Sequence, residues 1–430
     1  MRTKGVHMTR SEAAAGPLLL GLVPGATDVQ RRSFWAAFWG YALDAFDFLL
    51  FAQVIGVLIV QLRMNAAVAG LLSSVSLVAA AVGGLVFGVL TDRLGRRRVL
   101  ILTVLVYSVA SLGAATAQGW PGMLAWRILL GLGMGGEWGA GMALVTETFG
   151  VRHRGRVVAL IQASWPVGYL GAVLASALVV PALGWRALLA VGILPALVIL
   201  VVTRRVDDPA LWRDQTPRPR LGVRTLAKHL FGRDVVRATM LTSLLAIFGY
   251  LGYQAIAIWL PTFLTGPART GGLAQSPSSA TAMLVVFNVG ALVCFPLFGM
   301  LSDRYGRKPV FILFVLVSLA VTPVAYVWLA HLRPLAPFYL ALFVSGGGVA
   351  FFGYYGAGVS ELFPTRARGT ALGFVNNIGR IVGGQAPVVI GAVSEGYGFG
   401  DAMALVAVIG FAMTATVALF MPETKGVPLQ

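Results

Sequence analysis

The sequence predicts an all-α membrane protein of twelve transmembrane helices arranged as two six-helix halves. Three observations carry that prediction. Apolar residues make up 58% of the chain and charged residues only 11%, where a soluble domain carries about a quarter charged residues. The 430 residues contain twelve apolar runs, each near the ~20 residues that a bilayer-spanning helix needs. One loop sequence also occurs twice, each time between apolar runs. Gly88-Val-Leu-Thr-Asp92-Arg93-Leu-Gly95-Arg96 returns as Gly299-Met-Leu-Ser-Asp303-Arg304-Tyr-Gly306-Arg307.

Positions 92 and 303 are 211 residues apart. A second landmark, Glu147 followed by Arg154-Gly155, returns as Glu361 followed by Arg368-Gly369, and positions 154 and 368 are 214 apart. Two landmarks with nearly one offset mean an internal repeat of about half the chain. Two membrane halves related in this way are the usual plan of a transporter.

The chain divides as follows. Residues 1–32 hold five basic residues and a mild apolar stretch. Gly and Pro interrupt that stretch, so it reads as a cytoplasmic tail rather than a secretory signal. The first half, 33–203, contains spans near 33–61, 66–90, 99–117, 122–146, 155–180 and 184–203. A polar, proline-containing linker at 204–237 follows. The second half, 238–421, has spans near 238–264, 279–301, 309–330, 335–360, 369–394 and 400–421, and 422–430 forms a second tail. Gly and Pro inside spans do not disqualify them, because neighbouring helices satisfy the freed backbone groups. The single cysteine, Cys294, excludes an intramolecular disulfide and reads as packing in the eighth helix.

The net charge of +17 does not point to nucleic acid, because of where it sits. Of 33 basic residues, 27 fall in the tails and the loops on one side, and four, Arg63, Arg186, Arg269 and Arg333, on the other. The positive-inside rule then places both termini in the cytoplasm, with the basic surface toward the anionic inner leaflet of the lipid bilayer. The two basic residues that remain, Arg127 and Arg380, lie within apolar runs. So do three acids, Asp44, Asp47 and Glu137, whereas no histidine does. A charge at mid-bilayer costs at least ~2.5–3.5 kcal/mol, so these five face a cavity or one another. A proton carried at that depth must ride on a carboxyl group.

Asp44 and Asp47 are three residues apart and share a helix face. Burial raises a carboxyl pKa and a nearby arginine lowers it, so a site alternating between the two can load and release a proton. The alternative for Asp47 is a static ion pair with Arg127 that fixes helix packing. Glu137 is either a second proton site or a structural link near the end of the fourth helix. Gly131 and Gly135 form a small-residue stripe that lets a neighbouring helix approach. Arg380 shares a helix face with Asn376, and a guanidinium fork matches a carboxylate bidentately. This group therefore reads as an anion site, the alternative being a salt bridge to a first-helix aspartate. Gln162, Tyr253 and Gln254 join Arg380 and Asn376 as candidate substrate contacts. Trp165, Tyr169, Tyr250 and Trp259 are left out, because aromatic side chains in membrane helices are usually packing or interface anchors.

These residues resemble the major facilitator superfamily, whose loops between helices 2–3 and 8–9 carry the repeated pattern. Arg127-x3-Gly131-x-Gly133-x2-Gly136-Glu137 is similar to its fourth-helix motif. Glu361-Leu-Phe-Pro-Thr-Arg366 and Pro422-Glu423-Thr424-Lys425-Gly426 resemble sugar-porter-like members. Leu43-Asp44-Ala-Phe-Asp47-Phe resembles the first helix of organic-acid:proton symporters of the sialate and monocarboxylate type. The resemblance runs from about Arg31 to Gly426. It implies that Asp47 pairs with Arg127 and takes part in proton coupling. It also implies a latch: Asp92 approaches Thr370, Asp303 approaches Arg156, and Arg93, Arg304, Glu147, Glu361, Arg154 and Arg368 belong to the same loops. A carboxylate near a helix N-terminus gains ~0.3–1 kcal/mol from the dipole.

The expected function is proton-coupled symport of a small organic anion, a monocarboxylate such as lactate or pyruvate leading. A proton:sugar symporter and an aromatic-acid or sialate symporter are the alternatives. A non-transporting sensor would need an appended signalling domain. No metal-ligand cluster, nucleophile elbow or nucleotide loop appears, so neither an enzyme nor a cofactor is expected. The expected partners are the organic anion, the proton and the lipid, with no nucleic acid, and the protein is expected to be a monomer.

Overall fold

A computed structural model describes residues 26–149, 157, 160–206, 230–332, 335–356 and 358–425. Ten described helical segments are long and apolar enough to cross a membrane. One of them, Leu160–Val191, is two spans joined at Gly184, where the backbone turns to φ +78°. A last one, over 365–397, is broken near its middle and more polar. The twelve helices are α1 (Asp28–Gln61), α2 (Ala66–Leu94), α3 (Arg96–Ala114), α4 (Trp120–Thr148), α5 (160–183), α6 (185–202), α7 (Val236–Thr265), α8 (Pro277–Tyr305), α9 (Arg307–His331), α10 (Ala336–Gly356), α11 (365–397) and α12 (Phe399–Leu419). No strand occurs among the described residues.

Local chemistry sets the ends. A capping box closes the start of α1: Thr27 Oγ1 accepts from the Gln30 N–H, and the Gln30 side chain accepts from the Thr27 N–H. Asn65 caps α2 and Ser276 caps α8. α1 therefore begins five residues before the sequence placed it, because the cap lies upstream of Arg31 and Arg32. Four junctions carry a positive-φ glycine, which pays no Cβ penalty there. Gly95 separates α2 from α3 and Gly306 separates α8 from α9. Gly184 and Gly398 do the same between α5 and α6 and between α11 and α12. Positions 95 and 306 are 211 apart, and 184 and 398 are 214 apart. The backbone thus repeats with the two offsets of the sequence landmarks.

Glycine contacts build each half and repeat as well. Gly131 and Gly135 of α4 lie so close to α2 that a methyl at Gly135 would sit 2.6 Å from the Ala80 carbonyl carbon. In the second half, a methyl at Gly346 of α10 would sit 2.7 Å from that of Phe287 on α8. This bears out the packing role of the stripe. Cys294 of α8 packs on Gly347 of α10.

The halves meet mainly through α2 with α11 and α5 with α8. At one end the contact is backbone to backbone. A methyl at Gly70 would lie 2.7 Å from Val388 Cα, and one at Gly391 would lie 2.9 Å from Ala67 Cα. Toward the end that carries the Asp92 and Asp303 loops the fit loosens. Across the seam a methyl at Gly84 would meet the Asn377 side chain at 3.3 Å, a methyl at Gly88 or Gly373 would meet nothing within 4 Å, and Leu85 is 68% exposed. Among the described residues the seam is shut at one end and open at the other.

Candidate functional site: a cavity between the halves

A cavity of about 460 Å³, part of it open solvent, lies at the seam. The first half contributes Tyr41, Leu77, Met134, Gln162 and Trp165. The second contributes Tyr250, Tyr253 and Gln254 from α7, Phe295, Val349 and Phe352 from α8 and α10, and Arg380 from α11. Three of these helices change winding at the cavity or within about a turn of the residues that line it. α7 turns at Ile258-Trp259, α10 passes through a 3-10 stretch at Val349–Phe352, and α11 does so at Gly383–Gln385. Irregular backbone is tolerated at membrane depth where it borders a cavity.

Four of the five candidate substrate residues, Arg380, Gln162, Tyr253 and Gln254, line this space. Asn376 stands one turn from Arg380 and accepts a hydrogen bond from Tyr250 Oη at 2.9 Å. Arg380 is 2% exposed, yet its Nε has no hydrogen-bond partner, and neither do Gln162 Oε1 and Gln254 Oε1. Unpaired buried polar atoms are costly, and here they belong to cavity-lining side chains. Arg380 forms no ion pair with Asp44 within 4.0 Å, so the first-helix salt bridge considered as the alternative is not made in this conformation.

Apart from Tyr253, the aromatic wall was missed in the sequence. Tyr41, Trp165, Tyr250, Tyr253, Phe295 and Phe352 surround the space. Trp165 and Tyr250 had been left out as packing, and they are packed: Trp165 lies 5.2 Å from the Tyr41 ring and Tyr250 lies 5.2 Å from Phe352. They line the cavity at the same time. Trp165 Nε1 donates to Tyr253 Oη at 2.7 Å, and Tyr169 Oη donates to the Ala257 carbonyl at 3.0 Å. Both bonds cross from one half to the other. Trp259 instead donates to the Pro387 carbonyl within its own half.

The other buried charges lie in the first half. Asp44, Asp47, Arg127 and Glu137 are each 1–2% exposed. Glu137 packs on Gly40 of α1, and both its oxygens lack partners. The charge of Arg380 acts on both Asp44 and Glu137, so these two acids belong electrostatically to the cavity. One expectation needs correction. Asp47 and Arg127 do not form an ion pair in this conformation. The Arg127 guanidinium lies over the Phe51 ring at 4.4 Å and the Phe48 ring at 5.2 Å, and its Nε donates to the Leu72 carbonyl at 3.4 Å. Two aromatic faces hold the cation, an interaction of up to ~2 kcal/mol when desolvated.

Much of the expected latch falls outside the described residues. Arg154 and Arg156 do, as do the side chains of Asp92, Arg368 and Thr370. The described members pair within their own halves. Arg96 grips Glu147 with two nitrogens at 2.7 and 2.9 Å. Arg307 bonds Asp303 at 2.6 Å and reaches Glu361 at 3.5 Å, while Thr424 Oγ1 donates to Glu361 at 2.5 Å. Asp303 is therefore engaged along its own chain. Arg93 and Arg304 are exposed. Glu423 accepts from the N–H groups of Arg307, Lys308, Thr424 and Lys425. Partial burial pushes its carboxyl up, but these donors pull it below the usual range.

The model of the Major Facilitator Superfamily matches residues 37–271 and 267–429. This chain belongs to that superfamily. It is 33% identical over 408 residues to a Cupriavidus pinatubonensis protein named "Probable 4-methylmuconolactone transporter", covering 93% of this chain and 92% of that one. It is 27% identical over 405 residues to the cis,cis-muconate transport protein of Acinetobacter baylyi, covering 93% and 96%. The xylose transporter XylE of E. coli, in a partially occluded inward-open conformation, superposes with a TM-score of 0.74 over 94% of this chain and all of that one, at 19% identity. The protein is therefore a membrane transporter and not an enzyme.

Proposed function

We propose that this protein is a proton-coupled symporter of a small organic anion, and that its cargo is a flat, unsaturated or ring-bearing carboxylate. The observation that carries the reading is Arg380: a buried guanidinium with an unpartnered nitrogen, facing an aromatic-walled cavity between the halves. A carboxylate would fill the guanidinium fork, and a flat apolar body would stack on the rings. Lactate or pyruvate would satisfy Arg380 but leave most of the wall untouched, so the ring-bearing acid takes the lead from the small monocarboxylate. The relatives named for methylmuconolactone and cis,cis-muconate support the same class. The likeness to the xylose transporter concerns the fold.

Charge bookkeeping supplies the coupling. Anion on Arg380 and proton on an acid of the Asp44, Asp47 and Glu137 group give a loaded interior with little unpaired charge. Loading one without the other leaves a buried charge, which is expensive at this depth. The halves then rock about the site, and the backbone-tight end of the seam and the Trp165–Tyr253 and Tyr169–Ala257 bonds must part for the opposite conformation. The distribution of basic residues puts both termini in the cytoplasm, which makes the open end of the seam the cytoplasmic one. Nothing in this scheme requires a second copy of the chain.

The test is uptake into proteoliposomes under an inward proton gradient, with cis,cis-muconate, nicotinate, benzoate, lactate and xylose as solutes. The expected order is the unsaturated and ring acids above lactate, with no xylose uptake. Xylose uptake would restore the sugar reading. Absence of flux with all solutes, in protein that inserts and melts cooperatively, would favour a sensor.

A further inference from the structure

Asp47 is held differently from the other buried acids. α6 changes winding beside it. The N–H of Gly192 bonds the Leu189 carbonyl at 3.0 Å and that of Ile193 bonds the Ala190 carbonyl at 3.1 Å. These are three-residue steps where an α-helix takes four. The same Leu189 carbonyl accepts from Ser111 Oγ of α3 at 3.1 Å. Gly192 faces both side chains. A methyl there would lie 2.5 Å from Asp47 Oδ1 and 2.6 Å from Ser111 Cβ, and closer still to Ser111 Oγ. Asp47, Ser111 and the step in α6 thus meet at one point, and both side chains are 1% exposed.

Counting protons at that point gives the chemistry. A serine hydroxyl has one proton and two lone pairs. A carbonyl can only accept, so in this arrangement the Ser111 proton lies on Leu189. Only lone pairs remain for Asp47, and neither Asp47 oxygen has a hydrogen-bond partner. An ionised carboxylate facing lone pairs is repelled and unsatisfied. A protonated carboxyl can donate to them. The charged and titratable groups that act on Asp47 are Arg127 of α4, Tyr107 of α3 and Asp44 of α1, and none of them donates a hydrogen bond to it.

We propose that Ser111 is a positioning residue with two settings: it accepts from protonated Asp47 while donating to the Leu189 carbonyl, and ionisation of Asp47 turns its hydroxyl from that carbonyl to the carboxylate. The turn removes one bond from α6 at its winding step. Loss of the proton is thereby passed to a second helix without any charged group moving. The importance of this for transport rests on Asp47 being a proton carrier, as proposed above.

The test is infrared spectroscopy of the full-length protein in lipid. The carboxylic-acid C=O band that Asp47→Asn removes belongs to Asp47, and it is titrated with pH. In the wild type its frequency should be that of a hydrogen-bonded acid. In Ser111→Ala the band should move to the free-acid frequency and its titration midpoint should rise by about half to one pH unit, because the charge-assisted bond lost by the carboxylate is stronger than the neutral one lost by the acid. Ser111→Cys, with a weak donor and acceptor in place of the hydroxyl, should shift in the same direction. An unchanged or lowered midpoint in Ser111→Ala overturns the proposal, because a serine whose proton stays on the Leu189 carbonyl predicts a fall. A free-acid frequency in the wild type, or no Asp47 acid band at any pH where the protein is folded, overturns it without any Ser111 variant. Proton-driven uptake by Asp47→Asn is a separate measurement. Uptake that survives there removes Asp47 from coupling while leaving the Ser111 geometry standing.

Discussion

Replacing Arg380 by lysine tests the anion site with the smallest change of charge. Arg380 is 2% exposed and stands among Tyr41, Tyr250 and the cavity, with Nε unpartnered. A carboxylate cargo could take two parallel bonds from the guanidinium but only a point contact from an ammonium. A hydrogen bond to a charged group contributes ~1.5–3 kcal/mol, and ~1.4 kcal/mol is tenfold in affinity. Arg380→Lys should therefore weaken binding about ten- to a hundredfold, and Arg380→Ala should abolish it. Tyr250 also interacts with Arg380, but its bond to Asn376 is available to it in either variant. The assay is binding of nicotinate or cis,cis-muconate, whichever the wild type transports, with melting temperature read on the same samples. A structural arginine gives the opposite pattern: lysine substitutes well, alanine melts early, and affinity in surviving protein is unchanged. Full affinity in Arg380→Lys would refute the carboxylate reading.

Three further changes bear on other links. Asp47→Asn keeps the shape of a protonated carboxyl but cannot release a proton; uptake against a gradient should vanish while substrate exchange across the membrane persists, and accumulation by this variant would pass the coupling role to Asp44 or Glu137. Trp165→Phe keeps a ring against Tyr41 and loses the 2.7 Å bond to Tyr253, so crosslinking or fluorescence reporters at the tight end of the seam should read a shift toward opening there; an unmoved reporter signal would deny that bond a gating role. Glu423→Gln removes the charge from an acceptor of four backbone N–H groups. Because the folded pKa is depressed, the stability it contributes is present above the unfolded value of about 4.3 and is lost as pH falls through the folded one. Glu423 is exposed, so its contribution falls within about 1 kcal/mol. The melting-temperature gap between wild type and Glu423→Gln should be small at pH 7 and close as the pH is lowered, whereas a gap that widens in acid would contradict the assignment.

What could be read from the sequence was what membrane insertion makes expensive. Arg380, Arg127, Asp44, Asp47 and Glu137 stood out because a charge inside an apolar run demands an explanation, and all five are buried. The repeat was legible because Gly95 and Gly306 must adopt positive φ, which keeps the loop pattern around them recognisable. Gly184 and Gly398 obey the same rule at an offset of 214, and that signal was present but unread. The cavity wall was not legible. Trp165 packs on Tyr41 and lines the cavity, and nothing in its own residue type separates these roles; only neighbours from the other half, such as Tyr253, decide. The Asp47–Arg127 geometry was hidden for a similar reason. Opposite charges suggest a pair, but Phe48 and Phe51 offer the guanidinium two ring faces. The winding step at Gly192, which brings Ser111 to Asp47, needed the contact between α3 and α6 to be seen at all.

The most direct measurement compares a ring carboxylate with its own amide. Nicotinate and nicotinamide share ring and size and differ in the charge that Arg380 would recognise. Wild-type protein in proteoliposomes, given an inward proton gradient, should concentrate nicotinate or another flat carboxylate of the panel and lose the accumulated excess when a protonophore collapses the gradient. The corresponding amide should not be concentrated. Equal accumulation of acid and amide, or acid accumulation indifferent to the protonophore, would contradict a proton-driven anion carrier built around Arg380.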